Sequence, residues 1–534
     1  MSDPAATARL LHQLVRDAVA RNERRIVLPP GEHHVEGGLL PEVWCDISNN
    51  DSGWKRVLFD VDGARDLEID GNGARIIVDG VLIPIRLRAC HGVTVRNLTI
   101  DWLRPGYSEV EVLSSAPDAV ELAASSQLAA DRGRLRALGG AAWPRDHLWC
   151  AIAFDHARGE PLPGATEHWH LERYHRAIEQ PGGRIRLEAA WGAGAPPAGS
   201  TLVLMHGDRV APGIVIDVCQ QTLVEDVTLH HALGMGVVAQ CSRDLTLRRY
   251  RCVPPEGRMT SSWVDATHAV DCDGDIRLLD CELTGMFDDG TNIHGAFLRV
   301  VGRPEADLLL LRAEHAQQEG VTYLRQGDRL ALHAANGLQR VSEAVVRSVE
   351  RVNRSLCAVR LDRHVADVPG LVAMRYAPDT RVEIRGCRIA PVRGRGLLLS
   401  VPGRITVENN HFHSSGPAIS LLCDATYWFE SGPVEDLLVR GNTFDACAYS
   451  GPEVFQILPE TPDGHFPAPV MRGVHIVDNE IRRVRGRILN ARAVADLTFT
   501  GNRIAWSEAY PRLDDEAAVM LGDQVPDALI QTDI

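Results

Sequence analysis

The sequence is poor in aromatic residues and has no long apolar run. Aromatic side chains make up 5% of the 534 residues. No run reaches the roughly eighteen apolar residues that a membrane-spanning helix needs. The N-terminal stretch MSDPAATARLLHQLVRDAVARNERR is charged and lacks the apolar core of a signal peptide. We therefore expect a cytoplasmic protein, or a secreted one only if a leader has been trimmed.

Paired cysteine motifs are absent as well. Twelve cysteines are scattered along the chain, and none forms a CxxC pair, which argues against a zinc ribbon. Several lie inside strand-like runs such as LLDCEL and IRGCRI. We interpret them as reduced cysteines that are buried like small apolar side chains.

Positive charge is in deficit. The chain has 71 Asp and Glu against 56 Lys and Arg, which gives a net charge of −15. Nucleic acid and anionic membranes are therefore poor partners, because both carry negative charge. A neutral sugar meets no such repulsion.

The sequence does contain a repeat of short β-branched strands separated by Gly, Asn and Asp. Examples are VEIRGC (382–387), ITVENN (405–410), VHIVDN (474–479) and LTFTGN (497–502), and the step between equivalent positions is 23 residues in three cases. A strand repeat of this length indicates a solenoid, here an all-β parallel β-helix with three strands per coil. The recurring Asn is expected to adopt the left-handed conformation and to bond to the coils above and below.

Two steps of the repeat are too long for one coil and predict inserted domains. Residues 104–212 and 297–377 are rich in short antiparallel strand patterns, so each is expected to form a small β-barrel or sandwich. The β-helix then divides into 1–103 with an N-terminal cap, 213–296 with the candidate acids, and 378–534. Exposed strands of the insertions are compatible with a homodimer.

An amphipathic helix is predicted to form the N-terminal cap. It begins after Asp3-Pro4 and carries Leu10, Leu11, Leu14 and Val15. Such a helix shields the open end of a β-helix from edge-to-edge pairing.

The repeat brings acidic residues together. If one coil is 23 residues long, Asp265 stacks on Asp288, Asp289 follows directly, and Arg395 lies one coil away. Close carboxylates raise one pKa and leave another ionised, as the acid and base of a glycosidase require. Arg395 is expected to keep a nearby Asp ionised, which favours Asp289 as the base. The structural alternative is a row of turn aspartates that accept backbone N–H groups.

Other polar clusters have competing interpretations. DCDGD (271–275) resembles a calcium loop but has Ile where an EF-hand needs Gly. CDATYWFESG (423–432) combines an aromatic side chain with carboxylates, as sugar sites do; the alternative is a loop with Trp428 packed in the core. EHWH (167–170) resembles a metal cluster without a partner acid, and we interpret it as surface. We predict no metal.

Long motifs in this order resemble glycoside hydrolase family 110. The resemblance runs from about residue 25 to 505 and includes VDATHAVDCDGDI (264–276), MFDDGTNIHG (286–295), RGRGLLLS (393–400) and DATYWFESG (424–432). It implies a right-handed parallel β-helix with β-barrel insertions. It further implies an exo-acting, inverting, cofactor-free α-galactosidase. Its expected substrates are carbohydrates that end in α-1,3-linked galactose, including blood group B and linear αGal glycans.

The resemblance also implies the site residues. The expected catalytic acids are Asp265, Asp288 and Asp289. The expected substrate contacts are His268, Asn292, His294, Arg395 and Glu430, to which the aromatic cluster adds Asp424 and Trp428. Three other functions stay open at this point: a polysaccharide lyase on the same fold, a glycosidase of other specificity, and a non-catalytic glycan-binding solenoid.

Overall fold

Successive coils, each built from short stacked strands and the turns between them, make up most of the chain. The computed structural model describes residues 3–138, 144–145, 147–366, 368–510 and 517–532. Among these, the strands of the coils form two large parallel sheets, in agreement with the predicted parallel β-helix. Both sheets extend along the coils, and two inserted units interrupt them.

The larger sheet follows two sides of each coil. Its twenty strands are Arg25–Val27, Glu32–Glu36, Glu68–Asp79, Thr94–Trp102, Gln220–Leu229, Arg243–Arg248, Arg251–Cys252, Asp273–Leu279, Glu282–Leu283, Arg381–Arg385, Arg388–Val392, Arg404–Glu408, His411–Ser414, Asp436–Arg440, Thr443–Asp445, Met471–Val477, Glu480–Val484, Val494–Thr500, Arg503–Trp506 and Leu529–Ile530.

The second sheet, which we call the site sheet, has thirteen strands. They are Glu42–Cys45, Gly53–Asp62, Ile83–Arg88, Ile214–Asp217, Val237–Gln240, Thr267–Val270, Thr291–Ala296, Leu397–Ser400, Ile419–Leu421, Glu430–Ser431, Glu453–Ile457, Arg487–Ala491 and Val519–Leu521.

The two sheets differ in burial. In the larger sheet, Arg381–Arg385 alternates, with Val382 and Ile384 buried and their neighbours turned outward, as expected for strands with one face on a core. In the site sheet, Thr267–Val270 and Thr291–Ala296 are buried at every position. Loops and inserted units cover the outer face of these strands. Polar side chains on that face are therefore withdrawn from bulk water.

A ladder of asparagines stabilises the C-terminal coils. The backbone N–H of Asn410 donates to Oδ1 of Asn442 (2.9 Å), that of Asn442 to Asn479 (3.0 Å), and that of Asn479 to Asn502 (3.0 Å). The predicted bonding between coils is therefore confirmed. The predicted left-handed conformation of the repeat Asn is wrong for these four, because the preceding residue adopts it instead, as Asn409 does with φ 56°.

The one long helix in the described part of the chain packs against the first coils. It spans Pro4–Ala20, its N-cap Asp3 accepts from the Ala5 N–H, and it buries Ala8, Leu11, His12, Val15 and Ala18. Leu10 and Leu14, expected on the packed face, are exposed, because the buried positions follow a stripe that passes beside them. Short 3-10 helices span Gly37–Leu39, Leu171–Arg173, Gly192–Gly194 and Ala316–Gln318. Within the described residues, no helix combines the length and apolarity needed to span a membrane.

The first inserted unit is an antiparallel sheet. Its eight strands are Tyr107–Ala116, Ala119–Leu122, Leu148–Asp155, Glu160–Pro161, His168–Trp169, Arg176–Gln180, Arg184–Glu188 and Thr201–His206. A smaller sheet is formed by Leu128–Asp131, Arg134–Leu138 and Pro144–Arg145. A separate apolar cluster lies within this unit.

The second inserted unit is a closed six-stranded barrel. Its strands are Leu298–Glu305, Leu308–Ala313, Arg329–Ala334, Arg340–Arg351, Leu356–Leu361 and Leu371–Arg375. Arg375 joins the barrel to the β-helix, because its guanidinium contacts Asp271 at 3.2 Å and Asp273 at 2.5 Å. Asp275 in turn contacts Arg381 at 2.6 Å. The acids of DCDGD thus bind arginines.

The twelve cysteines are all described and all free. Eleven are buried, and Cys357 is partly buried. This agrees with their interpretation as reduced, small apolar side chains, and burial protects such thiols from oxidants.

Candidate active site

A cavity of about 310 Å³ opens on the outer face of the site sheet. Nine of the ten predicted site residues line it: Asp265, Asp288, Asp289, His268, Asn292, Arg395, Asp424, Trp428 and Glu430. The tenth, His294, is fully buried behind His268. A direct substrate contact by His294 does not fit that position, because its side chain is fully buried and is not among the residues that line the cavity.

The register of the coils differs by one residue from the expected spacing. His268 pairs with Asn292 and Val270 with His294, whereas a 23-residue coil places Thr291 beside His268. Asp265 accordingly aligns with Asp289, whose backbone N–H, 24 residues on, donates to Asp265 Oδ1 at 3.2 Å. Asp288 lies beside this column, where its side chain stays 27% exposed.

The three aspartates form one cluster. One carboxylate oxygen from each lies within 4.8 Å of the others. Asp265 and Asp289 are buried, at 3% and 1% exposure. Like charges at this distance in a desolvated site cannot all be ionised at little cost. The cluster therefore needs either bound protons or nearby cations.

Two of the three acids form ion pairs with arginines. The Nε of Arg395 donates to both carboxylate oxygens of Asp289, at 2.9 and 3.1 Å, and the Arg395 backbone N–H adds a third bond at 2.8 Å. Arg209 Nη2 lies 3.5 Å from Asp288 Oδ2. Asp265 contacts no arginine among the described residues. Positive charge that a metal ion would bring is thus already provided to Asp288 and Asp289.

Burial shifts the pKa values of Asp265 and Asp289 away from those of exposed aspartates. Burial, assisted by Asp288, raises the pKa of Asp265 to about 8. Burial also raises the pKa of Asp289, to about 7, although the Arg395 guanidinium opposes it. The expectation that Arg395 keeps a nearby Asp ionised, which favours Asp289 as the base, stays a prediction, in which the Arg395 guanidinium opposes the effect of burial on Asp289. Arg395 still makes Asp289 the first of the two buried acids to ionise.

A chain of hydrogen bonds leads from Asp265 into the protein. Asp265 Oδ2 lies 2.8 Å from His268 Nδ1, and His268 Nε2 lies 2.9 Å from His294 Nε2. His294 Nδ1 is 2.7 Å from the Gly295 carbonyl oxygen, which can only accept, so this nitrogen carries a hydrogen.

The direction of this chain determines where the proton is. With both rings neutral, His294 Nε2 accepts from His268, His268 Nδ1 is left as an acceptor, and only a protonated Asp265 can donate to it. Burial lowers the pKa of His268 well below its ordinary value, which favours the neutral ring. When both rings are neutral, the geometry therefore holds a proton on Asp265.

Glu430 lies at the far end of the same chain. Asn49 and Asn292 donate their side-chain amides to its two oxygens, at 3.0 and 3.2 Å, and His294 Nε2 is 3.6 Å away. Both oxygens of Glu430 accept amide hydrogens, which stabilises the carboxylate form. Glu430 is thus an ionised acceptor aimed at the cavity.

The loop that carries the aromatic wall is organised by Asp424. Its carboxylate accepts the backbone N–H groups of Thr426 (2.5 Å), Tyr427 (3.3 Å), Trp428 (2.6 Å) and Phe429 (3.2 Å). All of its nearby donors belong to its own loop, so its role is to position Trp428. The Trp428 ring is half-buried and packs against His315 at 4.3 Å and Arg209 at 5.6 Å.

Sequence reasoning missed several residues on the cavity wall: Asn49, Arg209, Met235, Tyr427 and Glu460. Asn49 and Glu430 are 381 residues apart, and Arg209 follows the first inserted unit. No periodicity links such positions, although Asn49 belongs to the motif ISNNDSGW. A larger cavity of about 700 Å³ near Trp44 and Trp54 does not contain the acid cluster, so we place the chemistry in the smaller one.

Comparison with known proteins gives one family model and a set of full-length relatives. The model described as GLAA-B beta-barrel domain II matches residues 308–368, within the closed barrel. An alpha-1,3-galactosidase A of Shewanella woodyi is 31% identical over 497 residues, covering 91% of this chain and 81% of the relative. An alpha-1,3-galactosidase B of Bacteroides thetaiotaomicron is 30% identical, covering 84% and 74%. Among solved structures, an exopolygalacturonase of Thermotoga maritima aligns with 12% identity and a TM-score of 0.39, covering 96% of this chain and 86% of that one.

Proposed function

The chain belongs to glycoside hydrolase family 110, the α-1,3-galactosidases, and we propose that it removes terminal α-1,3-linked galactose from glycans. The observation that carries the proposal is the cluster of three aspartates on the wall of a small cavity. A cavity of about 310 Å³ suits a single terminal sugar better than a long chain. Blood group B and linear αGal glycans are the expected substrates.

Asp265 is proposed as the general acid. It is the one acid of the cluster without an arginine, and the chain through His268 holds a proton on it. A carboxylic acid that stays protonated near neutral pH can protonate the glycosidic oxygen as the bond breaks. His268 and His294 then act as positioning residues that orient and return this proton.

Asp288 and Asp289 are proposed to activate water and to stabilise the developing positive charge of the sugar. Arg395 favours the ionised form of Asp289, and Arg209 lies 3.5 Å from the Asp288 carboxylate. In an inverting enzyme the two carboxyl groups stand about 6.5–9.5 Å apart, and in a retaining one about 5–5.5 Å. One carboxylate oxygen of each acid lies within 4.8 Å of the others, which is shorter than the separation of an inverting pair. Inversion is therefore proposed from the family and not from this separation, and the anomer of the released sugar tests it.

Glu430 and Trp428 are proposed to bind the sugar. The Glu430 carboxylate accepts sugar hydroxyls, while its amide partners hold it in place. The Trp428 ring offers a flat apolar surface for one face of galactose. Asn292 donates a hydrogen bond to Glu430, which helps to hold that carboxylate in place, and Asn292 itself lines the cavity.

The decisive experiment compares release of galactose from Galα1-3Gal, Galα1-4Gal and Galα1-6-linked substrates. The expected result is turnover of the α-1,3 linkage with at least about tenfold preference, which corresponds to about 1.4 kcal/mol of transition-state discrimination. Proton NMR of the first sugar released should show the β-anomer. Equal turnover of all three linkages would contradict the proposed specificity, and the α-anomer would contradict inversion.

The lyase alternative predicts another product. A lyase needs an uncommitted base near an acidic uronate, but both arginines on the cavity wall are paired with aspartates. Formation of an unsaturated product that absorbs in the ultraviolet would favour the lyase. Binding without turnover on every α-galactoside would favour the glycan-binding solenoid.

Location and assembly stay predictions. The expected cytoplasmic location is checked by fractionation of the producing cells, and the expected homodimer by light scattering of the full chain.

A further inference from the structure

A second cluster of titratable side chains lies in the first inserted unit, and its members are not among the residues that line the cavity of the three aspartates. It contains His147, His170 and Glu172, and one ligand atom of each lies within 4.8 Å of the others. His170 is the last residue of EHWH, which the sequence suggested as surface for want of a partner acid. The fold supplies that acid.

The topology explains why these residues meet. His147 directly precedes the strand Leu148–Asp155, and Trp169 pairs with Cys150 on that strand. The His170 N–H donates to the Trp149 carbonyl oxygen at 2.9 Å, so His170 ends up beside His147. The short helix Leu171–Arg173 then turns Glu172 back toward both rings.

We propose that His147, His170 and Glu172 bind one divalent transition-metal ion of the zinc class. His147 Nδ1 lies 3.3 Å and His170 Nδ1 3.7 Å from Glu172 Oε1. Ligands bound to zinc at their usual lengths in a tetrahedral arrangement lie about 3.4 Å apart. Two imidazoles and one carboxylate suit zinc and its neighbours in the first transition row.

The remaining ring nitrogen of His147 shows the expected supporting contact. His147 Nε2 is 3.6 Å from Asp208 Oδ1. Metal-bound histidines commonly present their second nitrogen to a carboxylate, which fixes the tautomer and increases the basicity of the ligating nitrogen. Asp208 is brought here because the Gly207 N–H donates to the His147 carbonyl oxygen at 2.9 Å.

Two atoms of the cluster are buried without satisfaction. Among the described residues, His170 Nδ1 and Glu172 Oε2 have no hydrogen-bond partner, and such atoms are costly unless something binds them. Arg173 is the competing cation, at 3.6 Å from Glu172 Oε1, but its side chain is 70% exposed. The rings of His147 and His170 are 34% and 38% exposed, so an ion and a water ligand have access.

The proposal is tested on tag-free full-length protein that has been stripped with a chelator. Titration with ZnCl₂ in a calorimeter should show one equivalent bound, and CoCl₂ should produce a visible absorption band. His170→Ala and Glu172→Gln should each lower zinc affinity by at least about 100-fold, and Asp208→Asn by about 10- to 100-fold. His34→Ala is the matched control, since His34 contacts Glu32 at 2.9 Å in an exposed pair, and it should leave affinity unchanged.

Absence of binding in the folded wild-type protein would overturn the proposal, and so would unchanged affinity in His170→Ala and Glu172→Gln. If a variant loses its circular dichroism spectrum, X-ray absorption of the zinc-loaded wild type decides. Two imidazole ligands support the site, and none or one overturns it. Every readout is independent of galactose release.

Discussion

Two columns of stacked side chains in the same β-helix show how one geometry serves stability or chemistry. In the C-terminal coils, Asn410, Asn442 and Asn479 repeat at one position, and each amide both donates and accepts. In the middle coils, Asp265 and Asp289 occupy equivalent positions, but two carboxylates cannot satisfy each other. The asparagines satisfy one another's hydrogen-bonding groups, whereas the aspartates require a proton, an arginine and finally a substrate.

Substitutions in the aspartate column should have the largest effect, and that effect should be on catalytic activity. Asp265→Asn or Asp289→Asn is expected to lower kcat for galactose release by about 10²- to 10⁴-fold, because each removes an acid–base group. Asp265→Asn should keep the fold, since Asn keeps the shape and relieves repulsion between buried charges. Asp289→Asn should lower the melting temperature, because it removes the charge that pairs with Arg395. Steady-state kinetics with thermal unfolding checks both parts. Activity near that of the wild type in both variants would refute the assignment.

The asparagine column should respond in the opposite way. Asn442→Ala leaves several buried backbone groups without partners, among them the Val407 carbonyl and the Asn410 N–H, and is expected to destabilise the fold by about 3 kcal/mol. The kcat of the folded fraction should not change. Urea unfolding measures the loss, with the exposed Asn336→Ala as control. Equal stability of the two variants would show that the ladder contributes nothing.

The pH dependence sharpens the comparison, because only the aspartate column titrates. With pKa values of about 8 for Asp265 and about 7 for Asp289, activity should fall above about pH 8 and below about pH 7, as a property of the pair. A rate that stays constant from pH 6 to pH 9 would contradict this.

Stability should follow the same titration. Raised native pKa values mean that the folded state binds these protons more tightly than the unfolded chain, so stability contributed below about pH 4 is lost as pH rises toward 8. The gain in melting temperature of Asp265→Asn over wild type should therefore widen between pH 5 and pH 8. The difference in melting temperature between Asn442→Ala and the wild type should not change with pH. If the differences for both variants changed with pH in the same way, the effect would not come from Asp265.

The smallest effect is expected at the aromatic wall. Asp424→Ala removes the acceptor for four backbone N–H groups of the 426–429 loop, so Trp428 loses its fixed position. KM should rise by about tenfold with little change in kcat, since the loop binds sugar without taking part in bond breaking. Asp17→Asn, on the exposed side of the N-terminal helix, is the control. A loss confined to kcat would instead give Asp424 a place in the chemistry.

The fold could be predicted largely from the sequence, and the site only in part. Strand repeats and turn residues indicated the parallel β-helix, and their spacing brought Asp265 near Asp288 and Asp289. The one-residue error in register arose because the coil through the site is longer than the repeat measured elsewhere. His294 was predicted to contact the substrate because the sequence shows the motif that contains it but does not show how deeply the side chain is buried.

The sequence by itself determined the coil, the acid cluster and the reduced cysteines, because these depend on local periodicity and composition. Only the tertiary structure decided which acids are ionised. Asn49 and Arg209 reach the site from distant segments of the chain. Burial of the outer face of the site sheet, which no single strand encodes, raises the pKa values of Asp265 and Asp289. The same reason applies to His147, His170 and Glu172, which meet because two strands and a short helix fold onto one another.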